Sequence, residues 1–283
     1  HAGQDALNKC MKEFGGFEHN LQSLRVVDQL ECRYAEFPGL NLCFETREGI
    51  LKHCSPKNAA DLGDVGERFL NKQQPSLEAQ LTNLADEIAY NSHDVDDGLR
   101  SELIDVGQLC EVALFRDQYE TVRRSYPELH PRRTIHEVVR RLINCQVVDL
   151  VETTQASLAR VTPQDVETVR RQDAPLVAFS EGMREQNLEL KRFLRQNLYR
   201  HYRVHRMTAK ASRTITALFE AFIKLIAGAI DDKSPYTGGH CRRIPVLTMM
   251  LAEAADQEQS GPLRDFSITD GDRYELETAA WLH

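Results

Sequence analysis

No apolar run in this chain approaches the ~20 residues that a membrane span needs, so no membrane partner is expected. Glycine and proline are sparse, 15 and 10 among 283 residues. With 41% hydrophobic and 28% charged residues, that excludes collagenous, low-complexity and disordered chains. A disulfide framework is missing too. The seven cysteines (Cys10, Cys32, Cys43, Cys54, Cys110, Cys145, Cys241) are odd in number, scattered and never in a C-x-x-C pair. Neither staples nor a zinc knuckle are therefore indicated, and a reducing cytoplasm is the expected location. Basic excess is absent: the net charge is -8, which argues against a protein that coats nucleic acid while leaving room for a local basic pocket. The chain begins at His1 without a basic-then-apolar leader, so no secretory signal and a missing start are expected. The length suffices for one large domain or two small ones with a core that needs no staples.

Strand-like alternation is also nearly absent, and helical periodicity takes its place. Ser76 after Pro75 is read as the cap of a helix whose apolar positions are Leu77, Leu81, Leu84, Ala85 and Ile88. Thr134 and Glu137 form a T-x-x-E capping box, and Thr162-Pro163 reads as another helix start. From Met183 to Ile230 the pattern reads as long helix, basic and then apolar. Breakers fall at 55–66, 126–133 and 232–239. The expected fold class is all-α.

The densest cluster of reactive side chains is L-A-D-E-I-A-Y-N-S-H-D-V-D-D-G-L, residues 84–99. On a helix, Asp86, Tyr90 and Asp94 stand at i, i+4 and i+8, which lines up two carboxylates and a phenol on about one face. A solvated acidic face is the plain alternative. The second cluster is N-terminal, where Gly15-Gly16 breaks one helix and His19-Asn20 opens the next. His1 and His19 flank this hairpin and are candidates for acid, base or phosphate-contacting groups, or ordinary structural histidines.

Together H-A-G-Q-D-A-L, G-G-F-E-H-N-L-Q-S-L-R, G-L-N-L-C-F-E-T-R-E-G-I-L-K-H and A-D-E-I-A-Y-N-S-H-D-V-D-D-G-L resemble successive motifs of the bacterial deoxyguanosine triphosphate triphosphohydrolase family, in the HD-domain superfamily. The resemblance covers residues 1–222 and implies an HD-like helical bundle, truncated at its N-terminus. The implied reaction is hydrolysis of a deoxynucleoside triphosphate to the deoxynucleoside and inorganic triphosphate. It also implies a divalent metal, Mg or Mn, since phosphate oxygens favour hard cations. Asp86 matches the last of the family's metal ligands, and Tyr90 and Asp94 match its sugar-contacting positions. His1 and His19 match its catalytic histidines. Lys52, beside His53, is placed near the pocket, and Arg200 and His201 in L-Y-R-H-Y near the nucleotide. Two departures stand out. Gln4 occupies the place of a carboxylate partner for His1, and the chain begins after the family's first metal histidine and HD pair.

Residues 223–283 resemble something else. A-I-D-D-K-S-P-Y-T-G-G-H-C-R-R-I-P and the final E-L-E-T-A-A-W-L-H resemble the opening of an HD-GYP domain, the cyclic-di-GMP phosphodiesterase type. That resemblance makes His240 and His283 metal histidines of a short appended helical segment. Rival readings are a non-catalytic nucleotide-binding or oligomerisation module and part of such a phosphodiesterase. The partner expected first is a deoxynucleoside triphosphate; a homo-oligomer and a single-stranded nucleic acid regulator stay open.

Overall fold

The computed structural model describes residues 2–51, 54–233, 240–258, 260–264 and 266–282, with side chains described for all of these except 231–233, 240–242 and 282. Among the described residues the chain is 75% helical and has no strand, as its periodicity requires. In chain order the helices are α1 (Ala2–Cys10), α2 (His19–Arg25), α3 (Phe44–Ile50), α4 (Pro56–Ala60), α5 (Asp64–Leu70), α6 (Leu77–Arg100) and α7 (Val106–Leu109). They continue with α8 (Ala113–Ser125), α9 (Pro131–Val161), α10 (Val166–Arg170), α11 (Glu181–Leu194), α12 (Tyr202–Lys233), α13 (His240–Asp256) and α14 (Asp270–Leu282). Two five-residue π-turns, Val26–Leu30 and Arg195–Tyr199, extend α2 and α11.

By packing, the chain forms two compact units, Glu18–Arg206 and His1–Phe17 with Met207–His283. The boundary at 222/223, drawn from two resemblances, falls inside α12; ancestry and packing divide a chain by different criteria. The core of the first unit lies among α6, α8, α9 and α11, where Val95, Phe115, Val122, Val138, Leu142 and Leu194 are almost wholly buried. Burying such side chains stabilises by about 1.5–3 kcal/mol each. A second cluster, Leu24, Leu51 and Val65, joins α2 and α5 to the end of α3. In the other unit α13 packs on α14. Thr269 and Asp272 cap α14 reciprocally, the Thr269 N–H donating to the Asp272 carboxylate at 2.8 Å and the Asp272 N–H to the Thr269 hydroxyl at 3.2 Å.

Local chemistry explains where the helices depart from their expected starts. Ser76 caps α6 as expected, its hydroxyl accepting from the Ala79 N–H at 3.3 Å. The buried face of α6 differs, however, because Leu81 and Ala85 are exposed while Gln80, Asn91, Ser92 and Gly98 are buried. Polar groups can occupy that face when satisfied. The Gln80 side-chain oxygen accepts from the Leu176 and Val177 N–H groups at 2.9 and 3.1 Å, and its amide donates to the Pro75 carbonyl at 2.8 Å.

The Thr134–Glu137 capping box does not form. Pro131 takes the first helical position and His130 the cap, its Nδ1 accepting from the Arg132 N–H at 3.3 Å. Thr134 is then one turn inside α9, its hydroxyl near the Leu129 and His130 carbonyls, while Glu137 pairs with Arg140 and Arg141. Thr162 likewise ends a helix rather than starting one. It sits left-handed at φ 44° as the C-cap of α9, as a residue before proline is steered out of helix, and Asp165 caps α10 instead. Residues 55–66 are not simply loop, since they contain α4 and the start of α5. The long helix expected from Met183 to Ile230 is interrupted by the π-turn at Arg195–Tyr199 and a break before Tyr202.

Candidate functional site

Helix α6 carries three of the expected site residues. Asp86 and Tyr90 are exposed, Tyr90 at 48%, and Asp94 is half-buried one turn further on. The fold sets a residue that the sequence reading passed over against this row. Tyr199, the last residue of the second π-turn, donates its hydroxyl to Oδ2 of Asp94, and its ring lies 6.3 Å from that of Tyr90. A cavity of about 570 Å³ opens there, lined by Asp94, Asp97, Gly98, Leu198, Tyr199 and Val204 among others.

The electrostatics of this pair follow from its position. Burial raises the pKa of Asp94, and the hydrogen bond from Tyr199 opposes that rise. Burial and then the neighbouring Asp94 carboxylate raise the Tyr199 phenol. Tyr199 therefore stays a neutral donor and Asp94 an acceptor whose charge depends on that donor.

His19 opens α2, with its side chain 56% exposed and Nδ1 3.0 Å from a Glu18 oxygen. Glu18 also accepts from the Leu21 N–H at 2.9 Å and so caps the helix. One carboxylate thus both starts the helix and orients the imidazole, a partner that the motif contained but that was not singled out. Arg200 is exposed just beyond the π-turn. His201 uses Nδ1 to accept from the Arg203 N–H at 3.3 Å, and its ring lies 4.8 Å from Tyr202. It is positioned as the start of α12, with Nε2 left for any ligand.

A second group that was not anticipated lies under α3. Glu48 is fully buried and pairs with Arg68 at 2.9 Å and Arg170 at 3.1 Å, whose side chains are only 9% and 10% exposed. Arg68 also donates to the Leu51 carbonyl at 3.1 Å, which ties down the end of the motif E-T-R-E-G-I-L. Spacing gives no hint of it, because Glu48, Arg68 and Arg170 come from three distant helices.

The expected site residues His1, Lys52 and His283, and His53, lie outside the described residues, as does the His240 side chain. Among the described residues no three His, Cys, Asp or Glu side chains come together as a divalent ion would need. The described donor set therefore does not fit a metal centre built on Asp86.

Residues 177–234 match the family described as a phosphohydrolase-associated domain. The chain is also similar to proteins named deoxyguanosinetriphosphate triphosphohydrolase-like protein. The relative from Bordetella pertussis is 62% identical over 227 residues, 79% of this chain and 59% of the relative. That from Thiobacillus denitrificans is 61% identical over 222 residues, 78% of this chain and 59% of the relative. That from Nitrosomonas europaea is 57% identical over 222 residues, with the same shares. The chain spans 59% of the length of these curated relatives. Among the described residues no helix is long and apolar enough to cross a membrane.

Proposed function

From a chain so similar over four fifths of its length to deoxyguanosinetriphosphate triphosphohydrolase-like proteins, we propose that it carries the sugar-binding part of a deoxynucleoside triphosphate triphosphohydrolase. The observation that carries the reading is the row Asp86, Tyr90 and Asp94 on α6, with Asp94 lining a cavity and held by Tyr199. In the full reaction water adds its oxygen to the α-phosphorus, the bond from that phosphorus to the sugar 5′-oxygen breaks, and the 5′-oxygen takes a proton. The products are a deoxynucleoside and inorganic triphosphate.

The residues of this chain serve binding more clearly than bond cleavage. The Asp94 carboxylate suits a sugar hydroxyl, and the half-exposed Tyr90 ring gives the pentose a flat face to rest on. His19, oriented by Glu18, is a proton-carrying group for the phosphate side. Because the described donor set does not fit a divalent metal, no step is routed through one. A non-catalytic nucleotide-binding module is the second reading, favoured by Gln4, an amide that cannot take up a proton, in the place of a carboxylate partner for His1.

The test incubates the chain with dGTP and Mn²⁺ and measures both binding and release of triphosphate. We expect dGTP to bind more tightly than 2′,3′-dideoxy-GTP, which lacks the hydroxyl that Asp94 would accept, while triphosphate appears no faster than with Asp86→Ala. Equal binding of dGTP and its dideoxy analogue refutes sugar recognition. Release that Asp86→Ala abolishes shows that residues outside those described complete a metal site, and it overturns the second reading.

A further inference from the structure

The π-turn at Arg195–Tyr199 places two consecutive side chains on one turn of α6. Leu198 is buried in the core, with Cδ1 3.4 Å from where a Cβ on Gly98 would stand. Tyr199 reaches Asp94, one turn back along the same helix. A Cβ on Gly98 would meet the end of the Ile104 side chain, Cδ1 at 2.6 Å, before it met the π-turn. A π-turn carries one residue more than the regular helix and rotates the residues after it, and such turns gather at functional sites. Asn197 helps to hold this one, donating to the Phe193 carbonyl at 3.1 Å.

Hydrogen bonding points the same way. A carboxylate has about four lone-pair sites, and Tyr199 occupies one on Oδ2, which leaves capacity on Oδ1 for a ligand hydroxyl. The Tyr199 ring packs beside Tyr90, so one phenol is in contact with both α6 residues assigned to the sugar. A phenylalanine would keep that ring contact and lose only the hydroxyl.

We propose that Tyr199 is a positioning residue that holds the Asp94 carboxylate in place to accept the free hydroxyl of a bound deoxyribose. The inference rests on the sugar-binding role of Asp94 given above. The segment that matches the phosphohydrolase-associated domain, residues 177–234, thereby supplies one side chain to a site otherwise built on α6.

In a deoxynucleoside bound through its 5′ end the 3′-hydroxyl is the only free hydroxyl on the sugar, so the test compares 2′-deoxyguanosine with 2′,3′-dideoxyguanosine. Calorimetric titration of the full chain should show about a tenfold preference for the former, the size of a hydrogen bond to a charged group. Tyr199→Phe should cut the preference to below about threefold and Asp94→Asn should remove it. The double variant should lose no more than Asp94→Asn alone, because the two residues act through one contact. A purely structural Tyr199 would lower the melting temperature and leave the ratio untouched, and that result overturns the proposal while sparing the sugar role of Asp94. A ratio that survives Asp94→Asn, or a wild-type chain without preference, overturns both. Should Tyr199→Phe fail to fold, 3-fluorotyrosine at 199 has a more acidic hydroxyl and must shift the ratio; an unchanged ratio overturns the proposal.

Discussion

Replacing Glu48 by glutamine removes the one carboxylate that Arg68 and Arg170 share. The side chain keeps its size, so packing is little altered and the change is one of charge. With Glu48 fully buried and the two guanidiniums 9% and 10% exposed, water cannot take over the lost interaction. At about 3 Å and an effective dielectric near 20, each pair is worth about 5 kcal/mol before desolvation is counted. Measured losses on breaking a buried pair from one side run at about 3–5 kcal/mol. Arg170 retains Glu167 at 2.9 Å, which places the expected cost toward the lower end, about 3 kcal/mol. A domain of ordinary stability has about 5–15 kcal/mol in all, so the effect is large. Urea denaturation should show a lower midpoint at an unchanged slope, and the difference should persist in 0.5 M salt because a buried pair is poorly screened. The control is Glu181→Gln, which breaks a pair to Arg184 with side chains 71% and 59% exposed and should leave the midpoint nearly unchanged. If the two variants cost the same within about 0.5 kcal/mol, the reasoning from burial is wrong.

Asp94 gives a pH dependence of known sign. Its folded pKa lies above the unfolded value, chiefly through burial. Such a group stabilises fully below its unfolded pKa, near pH 4, and the contribution is lost as pH rises through the folded value. Asp94→Asn should therefore gain in melting temperature relative to wild type between pH 4 and pH 7, and a constant or opposite difference contradicts the assignment. Among the described cysteines, Cys43 is exposed and its thiol pKa is lowered by hydrogen bonding to Thr46, with the sulfur 3.1 Å from the Thr46 hydroxyl, whereas burial raises Cys145. Iodoacetamide followed by peptide mass spectrometry should find Cys43 labelled well before Cys145; equal rates would count against that contrast.

Fold class was legible in the sequence because apolar spacing at 3.6 residues recurs through most of the chain, and the described residues contain only helices and their connections. Helix starts were less so, since one signal can serve two ends. A threonine before proline suits a first turn, yet Pro163 equally stops the helix before it, and Thr162 took the left-handed cap. The T-x-x-E pattern at Thr134 lost to His130-Pro131 four residues earlier, where proline fills the first turn without forfeiting a hydrogen bond. The buried face of α6 was misjudged for a related reason. Hydropathy ranks Leu81 above Gln80, but Gln80 satisfies the buried N–H groups of Leu176 and Val177, and that need decides which of the two faces inward.

The candidate site shows the same division between what spacing carries and what only packing reveals. Asp86, Tyr90 and Asp94 share a face because α6 is regular through that stretch, so their grouping could be read from intervals of four. The family resemblance points to Arg200 and His201 in L-Y-R-H-Y and not to the tyrosine before them. The π-turn brings that tyrosine to α6. It ends at Tyr199, which is turned to Asp94, and the backbone then breaks so that His201 caps α12. Nothing in the apolar pattern marks the extra residue, because an i→i+5 turn leaves no periodic trace in five residues. It is seen only in the packing, where Leu198 lies over Gly98, a contact between segments a hundred residues apart. A methyl at Gly98 would stand at ordinary contact distance from Leu198 and press only on the end of the Ile104 side chain, so Gly98→Ala should leave Tyr199 on Asp94. A Gly98→Ala chain that lost the deoxyguanosine preference would refute this and show that the π-turn cannot tolerate even that one methyl.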